Sequence, residues 1–229
     1  MKKTLAGKVS SKFVKRLQTS IDYHRELLLA VHLKKHQAGL ETMLTEQFVF
    51  YIVVVWEVFL HDLLLSYLVM SPELFSKNLK ERINQSVRER YGFGASQMVR
   101  FNGPKELSIP KAASLADPKG FNITVASSDH LTKRANELLT AKYARLFTLN
   151  TEDAQFVDFI ISMRNYLAHR SRSARTQLKK TTQQLSGKNS GLRGSVSNIG
   201  IYLKTRNSND NTRSIIIGKR LIDLASLFL

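Results

Sequence analysis

The stretch that most constrains how this chain can fold is the apolar run at residues 48–70, FVFYIVVVWEVFLHDLLLSYLVM. It is long enough to cross a membrane as a helix. Three ionisable residues interrupt it: Glu57, His61 and Asp62. Each charge at a bilayer centre would cost about 2.5–3.5 kcal/mol on insertion scales. Because Glu57 and His61 fall on one side of a helix, we predict instead a central helix with a narrow polar stripe, and no membrane partner.

Glu57 is the residue in this run that most needs an explanation. A carboxylate on a helix that is otherwise buried requires a partner. We therefore expect Glu57 to contact a cation, and Arg164 is the candidate. In the alternative reading, Glu57 lies exposed at the edge of the helix.

Apolar residues at helical spacing predict further helices around the central one, at residues 9–35, 72–90, 128–147 and 151–170. The expected fold class is therefore mainly α, a bundle with long antiparallel helices. Near the C-terminus, two isoleucine-rich segments flank a polar turn at 206–212. They predict a small β-hairpin, with strands at 199–205 and 213–217, followed by a short helix at 221–229.

These elements suggest a division of the chain into two parts. We expect a helical domain at residues 1–180, with an irregular insert at 92–128 that holds three of the four prolines. Residues 181–229 would form a C-terminal appendage, made of a mobile loop, the hairpin and the short helix.

Charge points to the class of partner. The sequence has 35 Lys and Arg against 18 acidic residues, for a formal charge of +17. Such a field attracts phosphate polymers, so nucleic acid is the expected partner; an anionic membrane surface and a basic protein without a nucleic-acid role are the alternatives. Cysteine is absent, which excludes a disulfide framework, a zinc finger and a thiol nucleophile. The basic N-terminal segment lacks an apolar stretch, so we expect no secretory signal and a cytoplasmic location.

Candidate catalytic residues lie on the helix near residue 160. There, an apolar stripe is followed by Arg164, Asn165 and His169, and a cationic segment comes directly after them. Cleavage of RNA without a metal needs a base, an acid and a cation that holds the charge building on phosphorus. Histidine suits proton transfer near neutral pH, and arginine offers phosphate a permanently charged fork of donors. Asn165 lies one turn before His169 and is placed to orient it.

The spacing of these residues also sets a geometric problem. Arg164 and His169 point about 140° apart on a regular helix, so they do not converge there. Either the helix distorts, or two helices share the site, as in a symmetric dimer that apposes two Arg and two His. In the alternative reading, Arg164 only pairs with Glu57, and His169 only caps the helix C-terminus.

The segment after His169 is the candidate RNA track. Between Arg164 and Asn209 there are ten Lys or Arg and no acidic residue. We expect five of them to hold the RNA backbone: Arg170, Arg172, Arg175, Lys179 and Lys180. The alternative is a solvated basic loop.

Two features of the sequence resemble the HEPN superfamily. One is the R-x4-H pattern with a polar residue directly after the arginine, Arg164-Asn165-Tyr166-Leu167-Ala168-His169. The other is the Trp56-Glu57 pair on an early long helix, which is similar to the RiboL-PSP-HEPN-like branch. The resemblance covers roughly residues 10–175.

The resemblance implies an all-α homodimer that acts as a metal-independent endoribonuclease of a toxin–antitoxin or phage-defence system. It implies no cofactor, and an antitoxin or defence protein as a further partner. Carried over by position, Arg164 and His169 match the catalytic pair, Asn165 the polar position and Glu57 a supporting acid. The competing hypothesis is a non-catalytic nucleic-acid-binding or scaffold protein that keeps the helical dimer.

Overall fold

The computed structural model describes residues 5–101, 107–118, 123, 125–206 and 211–229, and it confirms a mainly helical bundle. Within this part of the chain there is no strand, and short 3-10 turns lie at Arg145–Phe147 and Gly187–Leu192. The α-helices are α1 Leu5–Val31, α2 Gln37–Met70, α3 Glu73–Met98, α4 Ile109–Ala116, α5 Ser128–Leu138, α6 Ala141–Ala144, α7 Thr151–His169, α8 Arg172–Gln184, α9 Ile199–Lys204 and α10 Arg213–Ser226.

Helix α2 is the centre of the bundle. A tight turn at residues 32–36 folds it back along α1, and α4, α7, α9 and α10 also pack on it. Many of its large apolar side chains, such as Trp56, Ile52 and Leu64, are fully buried. By length and composition α2 is the one helix in the described part of the chain that could cross a membrane, but other helices bury 61% of that stretch.

Aromatic side chains fill the space between α2 and its neighbours. Phe13 of α1 stacks on Phe59 with ring centroids 4.4 Å apart, and Trp56 lies between them and Phe228, 5.9 Å from the latter. Tyr67 donates a hydrogen bond to the carbonyl oxygen of Phe228. The C-terminal residues therefore belong to the same core as α1 and α2.

The predicted C-terminal β-hairpin is wrong. Its two expected strands are the helices α9 and α10, and only an isolated bridge joins Arg206 to Thr212. The isoleucines of this region are β-branched, which favours strands in isolation. Tertiary packing decides otherwise, because the buried residues of α10 recur at helical spacing: Ile217, Leu221, Leu224 and Ala225. The short final helix predicted at 221–229 is the second half of α10.

The segments predicted to be irregular contain ordered packing of their own. Gly92 adopts φ 84°, which interrupts α3 before a last helical segment that ends at Met98. Within the described part of the insert, Ala112 of α4 is buried. The boundary predicted at residue 180 falls inside α8, and Leu192 and Val196 of the segment that follows are buried.

A buried ion pair ties the start of α7 to α10. Asp153 is 1% exposed and pairs with the guanidinium of Arg220, whose pKa is lowered by burial. Asn150 caps α7 and also donates from Nδ2 to Asp153 Oδ2 at 2.8 Å. Arg220 Nε donates to Asn189 Oδ1 at 3.1 Å, and Asn189 Nδ2 donates to the carbonyl oxygen of Glu152 at 2.8 Å. The network therefore joins α7, α10 and the turn at Gly187–Leu192.

We predict that Asp153→Asn lowers the free energy of unfolding by about 3–5 kcal/mol, because it leaves the Arg220 charge buried without its counter-ion. Urea denaturation followed by circular dichroism measures the loss. The matched control is Asp22→Asn, which removes an exposed carboxylate from a surface pair and should cost less than about 1 kcal/mol. Equal losses in the two variants would contradict the role of the buried pair.

Burial also acts on a histidine between α1 and α2. His24 is 3% exposed, its ring stacks on Phe48 with centroids 4.2 Å apart, and Nε2 has no hydrogen-bond partner. Desolvation of the charged form lowers its pKa to about 4. The side chain is therefore neutral in the folded protein at pH 7.

We predict that His24 makes the fold sensitive to mild acid. The unfolded chain takes up this proton near pH 6.5 and the folded chain only near pH 4, so stability is lost as pH falls through that window. The loss amounts to about 3 kcal/mol at most. Urea denaturation from pH 7.5 to 4 should show a steeper decline for the wild type than for His24→Leu. If the stability of the two proteins declined in parallel with pH, His24 would contribute nothing to the acid sensitivity.

Candidate active site

Arg164 and Glu57 form the contact that the sequence predicted between α7 and α2. Arg164 Nη2 and Nε donate to Glu57 Oε1 at 2.5 and 3.1 Å. The two side chains are 27% and 24% exposed, so solvent reaches them at the rim of the bundle. The predicted contact is confirmed, while a catalytic role for either residue stays a prediction.

Asn165 contacts the arginine rather than the histidine. Its Oδ1 accepts a hydrogen bond from Arg164 Nη1 at 2.8 Å, and no bond joins it to His169 among the described residues. The guanidinium is therefore fixed on two sides, by Glu57 and by Asn165. Because Nη1 and Nη2 each carry two N–H groups, one on each remains for an anion.

His169 is the last residue of α7. It is exposed, and it makes no hydrogen bond or ion pair within the described part of the chain. The helix stays regular up to it, and Arg170 then ends the helix in a left-handed conformation, with φ 50°. Arg164 and His169 thus point about 140° apart and lie about 7.5 Å apart along the helix axis. A single chain does not bring them together.

Two of the five predicted RNA contacts are engaged within the chain. Arg170 pairs with Glu46 of α2, and its guanidinium lies 5.3 Å from the centroid of the Tyr166 ring. Arg175 Nη2 donates to the carbonyl oxygen of Ser197 at 2.6 Å. The other three lie exposed on α8, without a partner in the described residues: Arg172, Lys179 and Lys180.

Apolar side chains of α2 remain uncovered beside the Glu57–Arg164 pair. We call them the α2 strip: Met43, Phe50, Val54 and Val58. Phe50 and Val58 are 37% and 38% exposed, and Met43 is 48% exposed. The strip runs between α1 and α7, and Leu167 and Ala168 border it where α7 ends. An exposed apolar stripe next to polar side chains is typical of an interaction surface.

The other candidate functional residues lie on α1, and the sequence analysis did not single them out. Four cations there are exposed: Lys8, Lys12, Lys15 and Arg16. Their spacing of four, three and one residues places them on one face of α1, a signal that is readable from the sequence. Arg16 Nε donates to the Tyr51 hydroxyl of α2 at 2.9 Å, so this face adjoins the α2 strip.

Comparisons with known proteins returned no relative. No protein-family model, no curated protein and no solved structure matches the chain. Among the described residues, no group of three or more His, Asp or Glu side chains is arranged to hold a metal ion.

Proposed function

We propose that the protein is a metal-independent endoribonuclease of HEPN type that acts as a homodimer. One observation carries the proposal. An arginine fixed by two polar neighbours lies at a solvent-accessible rim, and the same helix ends in an exposed histidine with no partner in the described residues. The formal charge of +17 supports RNA as the substrate.

The roles follow from the chemistry of each side chain. A base removes the proton of the ribose 2′-hydroxyl, the 2′-oxygen attacks phosphorus, and an acid protonates the departing 5′-oxygen. His169 is the proton-transfer group, since imidazole exchanges protons near neutral pH. Arg164 holds the negative charge that builds on the phosphate oxygens. Glu57 and Asn165 are positioning residues, because they contact the guanidinium of Arg164.

The orientation of α7 favours a site shared by two chains. Arg164 and His169 point about 140° apart on one helix, so the two side chains of one chain cannot contact the same phosphate. Two copies related by a twofold axis and packed through the α2 strip would bury its exposed Phe50 and Val58. They would also bring two arginines and two histidines into one cleft, and the second histidine supplies the acid.

The biological setting rests on the resemblance to HEPN proteins. It suggests a cytoplasmic toxin or phage-defence nuclease, with an antitoxin or another defence protein as partner. In this setting the free cations of α8, Arg172, Lys179 and Lys180, contact the RNA backbone.

A second candidate function is a non-catalytic RNA-binding helical dimer. The observation that favours it is the engagement of Arg164 by Glu57, since an ion pair between α7 and α2 has a structural role without any substrate. The two functions differ in one measurable property, which is cleavage.

We predict that the purified protein cleaves single-stranded RNA in EDTA and leaves 5′-hydroxyl ends. His169→Ala should lower the rate about 10²–10⁴-fold, because it removes the proton-transfer group. Arg164→Lys should lower it about 10²–10³-fold, because an ammonium lacks the arginine fork. Gel analysis of end-labelled RNA measures the cleavage rate. Labelling of the products with and without polynucleotide kinase identifies their 5′ ends.

The matched control is His32→Ala, which removes an exposed histidine from the turn between α1 and α2 and should cleave like the wild type. If wild type and variants all bind RNA and none cuts it, the non-catalytic function replaces the nuclease.

We predict that the chain is a dimer in solution and that Phe50→Glu makes it a monomer, because it places a charge in the centre of the α2 strip. Size-exclusion chromatography with light scattering gives the mass of each. Leu33→Glu is the control, since Leu33 is 93% exposed in the turn after α1 and away from the strip. A wild-type monomer that still cleaves RNA would exclude the shared site.

A further inference from the structure

A groove between α1 and α2 has a cationic edge. Lys8, Lys12, Lys15 and Arg16 lie along it, all exposed and none in an ion pair within the described residues. A row of exposed cations on one helix face is an electrostatic footprint for a phosphate backbone. Charge alone does not define a binding site. The shape of the groove and the residues that line it provide further evidence for one.

The groove is concave and of a size that suits a ligand. Its volume is about 590 Å³, within the ~300–1,000 Å³ of typical ligand pockets. Its lining includes three cations, two tyrosines and one histidine: Lys12, Lys15, Arg16, Tyr23, Tyr51 and His24. Apolar and uncharged polar side chains complete it: Leu27, Leu44, Phe48, Thr19, Ser20 and Gln47. A concave lining fits a threaded chain better than it fits the flat surface of a bilayer.

Two tyrosines offer open aromatic surface beside the cations. Tyr23 is 61% exposed and Tyr51 is 41% exposed. Arg16 holds Tyr51 in place, with its guanidinium 5.4 Å from the ring centroid and its Nε bonded to the hydroxyl. Cations that follow a backbone, next to aromatic rings on which bases stack, are the two elements of single-strand recognition.

His24 borders the groove with a buried imidazole. The side chain is 3% exposed, and its Nε2 is buried and lacks a hydrogen-bond partner. A buried polar atom without a partner costs free energy, so a ligand atom would gain a hydrogen bond if the ring turned toward it. Because burial keeps the ring neutral at pH 7, it can donate or accept there.

We propose that the α1–α2 groove binds single-stranded nucleic acid, with phosphates along Lys8, Lys12, Lys15 and Arg16 and a base against Tyr23 or Tyr51. Binding there does not require cleavage.

Binding is measured on the full chain with His169→Ala, so that the RNA stays intact. The probe is a fluorescein-labelled, mixed-sequence RNA strand of about 12 nucleotides, within the range that such sites cover. Anisotropy titrations from 50 to 300 mM KCl give the affinity and its salt dependence. The test variant is Lys12→Gln/Lys15→Gln/Arg16→Gln. The matched control, Lys80→Gln/Arg82→Gln/Arg90→Gln, removes three exposed cations from α3.

We expect the α1 variant to bind RNA at least about tenfold more weakly at 100 mM KCl. The slope of log affinity against log salt concentration should also become smaller by about 2, because each of the three lost phosphate contacts contributes about 0.7 to that slope. The α3 control should change both quantities less. Tyr23→Ala should weaken binding by about fivefold or more with an unchanged slope, because it removes stacking and no charge. Tyr91→Ala, which removes a tyrosine that is 72% exposed on α3, is its control.

The outcomes separate this proposal from the nuclease. Loss of binding in the α1 and Tyr23 variants, in a protein that never cuts RNA, would support the groove and remove the proposed function. Equal losses in the α1 and α3 variants, or none in the α1 variant, would overturn the groove. Wild-type RNA affinity in the α1 variant, together with lost pelleting on phosphatidylserine vesicles, would also overturn it and make α1 a membrane surface.

Discussion

Helix α2 is apolar around most of its circumference, and the need to cover it organises the rest of the chain. Helices α1, α4, α7, α9 and α10 each pack on it. Their cover is incomplete along the α2 strip, where Phe50 and Val58 stay open. The Glu57–Arg164 pair lies beside that strip, so the candidate catalytic arginine is placed where intramolecular packing ends. The same constraint that builds the core therefore leaves one edge for a partner.

Helix α7 is fixed unequally at its two ends. At its start, Asp153 and Arg220 form a buried ion pair inside a network of capping and amide bonds. At its end, the pairs that hold it to α2 are partly exposed, Arg164 with Glu57 and Arg170 with Glu46. Buried pairs are costly to break and exposed pairs contribute little. The end that carries His169 is thus the more easily displaced one, which suits the role that we propose for this histidine.

Patterns within single helices were predictable, and contacts between distant segments were mostly not. The sequence predicts α2 from its apolar run, α7 from its apolar spacing, and the Glu57–Arg164 contact from the cost of burying a carboxylate. The sequence could not show that Arg170 pairs with Glu46, because the two residues are 124 positions apart and no sequence pattern connects them. The isoleucines of α9 and α10 led to the wrong prediction of a β-hairpin. Their preference for strands is overridden because both segments pack on the core as helices.

The Tyr67–Phe228 contact has a consequence for synthesis. The two residues are 161 positions apart, and a ribosome that adds about 5–20 residues per second needs about 8–30 s to make that span. For that interval the nascent chain displays α2 without the aromatic side chain that closes over Trp56. Chaperones and membrane-insertion machinery both select nascent segments by their hydrophobicity. The apolar surface of α2 is therefore open to such factors for those seconds, until Phe228 can pack against Trp56.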